Sequence, residues 1–201
     1  MKLYVTSGSP YARMARIVVL EKKLERRVEI IAAKTRAAGS PYYAINPSGR
    51  VPYLVCDDGV GLEESALICS YLDQLDAAPA LELPKGLAAR RLEALARSFV
   101  DGLSVWGREL TRPRDERSPT VIEHEKERAR RMADLWEREI DHPVMRGPLN
   151  MAQLTLACAL GLEARNPDFR WRAQRPKLGA WFEPIARRPS FAATAPPPPG
   201  D

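Results

Sequence analysis

The apolar positions change their period once along the chain. Up to about residue 76, short apolar runs alternate with helical stretches. Leu3-Tyr4-Val5 reads as a first strand, broken by Thr6 to Ser9. Ser9-Pro10 is a helix start, with serine as N-cap and proline at the first helical position. Ala12, Ala15, Val18, Val19 and Leu20 mark the buried side of a helix that ends near Lys23. Arg27 to Ile31, with Val28, Ile30 and Ile31, reads as a second strand, which makes a right-handed βαβ unit with parallel strands. Lys34 to Ala44 reads as a loop with one short helix around Pro41-Tyr42-Tyr43. Tyr53 to Cys56 and Val60 to Leu62 flank Asp57-Asp58-Gly59, and Asp-Gly signals a hairpin turn. A helix follows on Ala66, Ile68, Cys69, Leu72 and Leu75, with Glu63-Glu64-Ser65 as its first turn.

The order β-α-β-α-β-β-α is that of a thioredoxin-like domain. Asp76 to Pro84 holds two prolines and no helical period, so it reads as a linker. Beyond it Leu92, Leu95, Ala96, Phe99, Val100, Leu103 and Trp106 recur on one side of a helix from Leu87 to Leu110. Pro119 opens a second long helix that runs to about Ile140, and His142-Pro143 ends it. Asn150 followed by Gln153 is a capping-box variant opening an apolar helix to Leu162. Pro176 to Arg188 reads as a further helix, with Pro184 inside it. The fold class is therefore α/β plus all-α. The expected divisions are a thioredoxin-like domain over 1–76, an all-helical domain over 86–195 and a proline-rich tail over 196–201.

Composition narrows the function classes. The 201 residues carry a net charge of +5, which raises nucleic-acid binding as a question. Arg128, Arg130 and Arg131, however, interleave with Glu123, Glu125, Glu127, Glu137 and Glu139, the pattern of a solvated helix face, so no nucleic-acid partner is expected. Cys56, Cys69 and Cys158 form no C-x-x-C and lie in apolar runs, as reduced thiols in a reducing compartment do. With no apolar run of membrane length and no signal-peptide pattern at MKLYVTSGSP, a cytoplasmic protein without a membrane partner is expected. His124 and His142 stand apart from other metal-ligating residues, so no metal site is expected.

Two stretches carry candidate chemistry. Ser9-Pro10-Tyr11-Ala12 occupies the place where thioredoxin-like redox proteins keep their cysteines, and resembles Cys-Pro-Tyr-Cys with both cysteines replaced. Disulfide exchange needs an attacking and a resolving thiol, so that chemistry is argued against. What remains is a hydroxyl at a helix N-terminus. Further on, Pro52 stands at the mouth of a strand and Glu64-Ser65 opens a helix. The carboxylate suits a ligand ammonium, and a hydroxyl with free helix N–H groups suits the neighbouring carboxylate. Read alone, Ser9 and Glu64-Ser65 are simple helix caps and Pro52 ends a loop.

Arg50-Val51-Pro52 and Glu64-Ser65, in order and separated by a hairpin, resemble the N-terminal domain of the glutathione S-transferase family. With Ser9 the likeness is to its serine-type, bacterial-type members, and it extends to Arg188-Pro189-Ser190-Phe191 near the end. The resemblance implies a cis bond before Pro52, Val51 backbone pairing to the cysteinyl part of glutathione, and Glu64-Ser65 holding the γ-glutamyl end. It implies that Ser9 stabilises the thiolate, with Tyr4 as the rival, and that Arg50 approaches the glycyl carboxylate. A second-substrate pocket near Tyr11, Leu103 and Trp106 follows from helix phase. The implied activity is conjugation of glutathione, as co-substrate, to a small, largely apolar electrophile in detoxification. The alternatives are a non-catalytic glutathione-binding scaffold, or a glutathione-dependent isomerase or dehalogenase. The family implies a homodimer. The family usually has Ser or Thr at the position of Asn150 and Asp at that of Gln153; this departure is expected to weaken the cap and preserve the helix.

Overall fold

The computed structural model describes residues 1–76, 78–82, 86–166 and 168–196. The chain forms two compact units. Met1–Glu82 together with Pro189–Pro196 makes the first.

In the first unit the order is β1 (Lys2–Val5), α1 (Pro10–Glu21), β2 (Glu29–Ala32), α2 (Tyr42–Ile45), β3 (Tyr53–Val55), β4 (Gly61–Leu62) and α3 (Ser65–Gln74). The strands form one sheet in the order β2-β1-β3-β4. β1 pairs parallel to β2, from Lys2 opposite Glu29 to Val5 opposite Ala32. It pairs antiparallel to β3, with Leu3 opposite Leu54. Those two leucines are 0% exposed and form the centre of the core with Met14, Ile17 and Ile68. The mixed sheet and the βαβ start agree with the thioredoxin-like order. β2 begins two residues later than the apolar pattern suggests, because the Arg27 and Val28 N–H groups both turn back to the Leu24 carbonyl. It is an edge strand, with Ile30 exposed.

The second unit takes up the chain with α4 (Leu87–Leu110), α5 (Pro119–Glu139), α6 (Pro143–Arg146), α7 (Met151–Leu160) and α8 (Pro176–Ala186). All ten residues of α7 are buried, so α7 is the axis of this unit. Asn150 caps it, its Oδ1 accepting from the Ala152 and Gln153 N–H groups at 3.1 and 3.2 Å. The Gln153 amide does not reach back to complete a box. It donates instead to the carbonyls of Val144, Gly147 and Pro148, which ties the turn after α6 to α7. An amide nitrogen donates where the family's carboxylate can only accept, and the helix is preserved. α8 continues through Pro184; Ala180, whose carbonyl the proline leaves unpaired, is exposed to water. It ends at Ala186, two residues short of the expected Arg188, where Pro189 restarts the chain as α9 (Pro189–Ala193).

The position of α9 differs from the expected division. Periodicity assigns 86–195 to one helical domain, but α9 groups with the first unit and packs along α1. The expected tail, apart from Pro196, and Ala77, Leu83 and Pro84 of the expected linker fall outside the described residues.

The end of the first unit is fixed by a buried ion pair. Lys22 Nζ lies 3.0 Å from Asp73 Oδ1, with both side chains at most 5% exposed. The ammonium also donates to the carbonyls of Asp76 and Pro79, and the Asp73 carboxylate accepts from the Leu81 and Glu82 N–H groups. The linker is thereby laced to the C-terminal ends of α1 and α3. Asp73→Ala leaves a buried ammonium without its counter-charge and is expected to destabilise the protein by about 3–5 kcal/mol. Urea unfolding checks this; a loss below about 1 kcal/mol, the scale of an exposed pair, would contradict it.

Candidate functional site

Three segments meet at one end of the sheet. Tyr4 pairs with Tyr53, so the chain leaves β1 toward Ser9 where Val51-Pro52 leads into β3. β4 runs antiparallel to β3 with Leu62 opposite Leu54, which returns Glu63 to Ser65 to the same end. A hydrogen bond from Ser48 Oγ to Glu63 Oε1, 2.6 Å, joins the loop before β3 to the turn before α3.

Ser9 is the N-cap of α1, in extended backbone conformation, with Pro10 following at the first turn. Its Oγ accepts the Ala12 N–H at 3.2 Å. A capping hydroxyl uses a lone pair and keeps its own hydrogen, so half-buried Ser9 can still donate. Tyr4 is the rival hydroxyl to Ser9 named by the resemblance. Its ring meets Tyr42 at 5.6 Å with planes 38° apart. It lines a cavity of about 190 Å³ with Ala32, Ala33, Pro41, Tyr42 and Ile45.

The Val51–Pro52 peptide is cis, as the resemblance implies. The segment before it is held by residues that sequence reasoning did not single out. The Arg50 carbonyl accepts the Tyr42 hydroxyl at 2.5 Å and the Asn46 amide at 3.0 Å. Asn46 Oδ1 accepts the Ser48 N–H, closing an Asx turn. Gly49 has φ +66, and a Cβ there would lie 2.6 Å from the Tyr43 ring, so only glycine fits. The Asn-Pro-Ser-Gly run carries a turn signal, but the reach back from Arg50 to Tyr42 leaves no local pattern. The Arg50 side chain itself is exposed.

α3 starts unlike the other helix that carries a site residue. Glu64 stands at its N-cap position with φ +76 and ψ 119, a conformation outside the helix, and makes no side-chain cap. The helix therefore begins at Ser65, two residues later than a Glu63-Glu64-Ser65 first turn requires. Glu64 is exposed and Ser65 is 4% exposed. Where α1 and α5 receive the oxygens of Ser9 and Ser118, the first turn of α3 has no such side-chain cap. Helix-start N–H groups left this way bind an incoming carboxylate.

The remaining residues are placed elsewhere. Tyr11, in the first turn of α1, is half-buried. Leu103 and Trp106 are 4% and 1% exposed, and Trp106 stands edge-on to Phe169 within the helical unit. Helix phase identified a buried stripe, which core and pocket residues share. His142 Nδ1 accepts the Val144 N–H as the cap of α6. Among the described residues no group of three or more His, Cys, Asp and Glu side chains is arranged to hold a metal ion.

Burial pushes the Tyr42 phenol above its ordinary pKa; the Asn46 side chain opposes this, and Glu63, Tyr53 and Tyr4 add to it. A folded-state pKa raised in this way contributes stability that is complete below the unfolded value of about 10 and is lost as pH rises through the folded value. Ionisation also removes the donor to the Arg50 carbonyl. The stability of the protein is expected to fall more steeply above about pH 10 than that of Tyr42→Phe. The variant is less stable by about 1 kcal/mol at neutral pH. Denaturant midpoints against pH check this, and parallel alkaline branches would refute it.

Comparison with known proteins places this geometry. The model for the glutathione S-transferase N-terminal domain matches residues 8–75. The chain is 33% identical over 203 residues to the uncharacterised GST-like protein YibF of Escherichia coli K12, covering 98% of this chain and 99% of that one. It is 30% identical over 216 residues to glutathione S-transferase 3 of Zea mays, covering 99% and 97%. The structure of a glutathione transferase family member from Pseudomonas fluorescens Pf-5 with bound glutathione aligns at a TM-score of 0.88 and 31% identity, over 98% of both chains. That of a glutathione S-transferase from Methylobacillus flagellatus KT with glutathione bound aligns at 0.86 and 30% identity, over 98% of this chain and 99% of that one. With a two-domain order and an N-terminal edge of this kind, and with likeness over nearly its whole length, the chain belongs to the glutathione S-transferase family.

Proposed function

We propose that the protein is a glutathione transferase, joining the thiolate of glutathione to an electrophilic carbon of a small, largely apolar substrate. One observation carries the reading: a donor hydroxyl at the start of α1, the Val51 backbone before cis Pro52 and the opening of α3 share one end of the sheet. Glutathione bound in the Pseudomonas fluorescens relative supports it.

Each part has a distinct task. Glu64 pairs with the γ-glutamyl ammonium, and Ser65 with the first N–H groups of α3 receives the neighbouring carboxylate. The Val51 backbone pairs with the cysteinyl unit, and Arg50 faces the glycyl carboxylate. A free thiol has a pKa of about 8.5 and is mostly protonated near neutrality. A hydroxyl donating to sulfur, beside the positive end of α1, favours the thiolate. The thiolate then forms the S–C bond while the leaving group departs with its bonding pair, or, at an activated double bond, while the π pair moves onto the activating group and takes a proton from water.

Ser65→Ala is expected to weaken glutathione binding by about 1–3 kcal/mol, because a desolvated carboxylate loses a partner. Calorimetry checks this, and an unchanged dissociation constant would remove Ser65 from the site. Ser9→Ala is expected to raise the apparent pKa of bound glutathione and lower turnover, with little change in affinity. Thiolate absorbance against pH decides; an identical titration would leave Ser9 a helix cap and shift the thiolate role to Tyr4.

A further inference from the structure

Helix α9 lies along α1, and its polar atoms bind that helix. Ser190 Oγ bonds Glu21 at the C-terminal end of α1. Arg16 donates to the Ala193 carbonyl at 3.4 Å. Arg13 donates to the Phe191 carbonyl at 3.0 Å and to Thr194 Oγ1 at 3.4 Å. From Glu21 opposite Ser190 to Arg13 opposite Thr194, the two helices run antiparallel. The Arg13 side chain is 8% exposed, with the Phe191 ring 5.5 Å from its guanidinium carbon. Thr194 is itself fixed, its hydroxyl donating to the Ser190 carbonyl at 2.8 Å.

The other end of Arg13 meets the candidate site. Its backbone N–H donates to the Ser9 carbonyl at 2.9 Å, one residue after Ala12 donates to Ser9 Oγ. One residue therefore holds the Ser9 backbone by its amide and is itself held by α9 through its side chain. We infer that Arg13 is a positioning residue for Ser9: α9 braces the first turn of α1 through it, so that the Ser9 hydroxyl keeps its aim at the glutathione sulfur. This rests on the glutathione reading above. A brace of this kind acts on the cysteinyl sulfur alone, since the γ-glutamyl end and the cysteinyl backbone are held by α3 and Val51.

Arg13→Met and the milder Thr194→Val test it through glutathione affinity, thiolate absorbance against pH, turnover and amide exchange. In Arg13→Met the dissociation constant is expected to stay within about twofold while turnover falls about tenfold, as small displacements of a reacting group do. The bound thiol titrates at higher pH, and the Ala12 and Arg13 amides exchange faster while those of α3 do not. Thr194→Val moves the same quantities less, and decides alone should Arg13→Met fail to fold. A folded variant with the parent's thiol titration overturns the inference, and so does a loss of affinity equal to the loss of turnover, which marks general loosening. If the parent protein does not bind glutathione, the functional reading fails separately. The brace then stands or falls on the Ala12 and Arg13 exchange rates, and unchanged rates overturn it.

Discussion

The antiparallel pairing of β3 with β1 is the constraint on which the candidate site depends. Its register puts Leu3 opposite Leu54 at the buried centre of the sheet. A slip of β3 by one residue would turn Leu54 to the face opposite Leu3, so the core fixes the register. Once fixed, it leaves no freedom at the sheet's end. The chain leaving β1 and the chain entering β3 stand side by side there, and β4 returns α3 to the same place. Three segments far apart in sequence become one surface because a few apolar side chains have only one way to be buried.

Polar atoms then set the finer positions, and several serve two ends at once. Ser9 satisfies an N–H of α1 with its oxygen and still has a hydrogen to donate. Tyr42 fills the interior with its ring while its hydroxyl fixes the carbonyl that precedes Val51. Glu64 breaks the pattern: with φ +76 and no capping bond, it leaves the first turn of α3 without the side-chain oxygen that α1, α5 and α7 receive. α4 and α8 also start without a side-chain cap, so what sets α3 apart is the positive φ of a non-glycine residue at its start.

Much of this was legible in the sequence because its causes are local. Ser9-Pro10 acts within one helical turn, Asp58 and Gly59 make a tight turn with Gly59 at φ +85, and the stripe of α4 repeats over 24 residues. The motifs Arg50-Val51-Pro52 and Glu64-Ser65 were visible for the same reason. What stayed hidden depends on chain reversal. The Tyr42 to Arg50 bond spans eight residues with no periodic trace, and the contact of Arg13 with Phe191 and Thr194 spans about 180. Periodicity shows neither that Pro189–Ala193 forms a helix nor which unit it joins. It shows that Leu103 and Trp106 are buried without saying what covers them.

The central claim is that glutathione binds at this one end of the sheet, and amide chemical shifts of the labelled protein during a glutathione titration test it most directly. The account predicts that the perturbed amides cluster at Ser9 to Ala12, at Val51 and at Glu64 to Ala66, saturating together. No perturbation at glutathione on the order of ten millimolar, or one confined to α4 through α8, would contradict it.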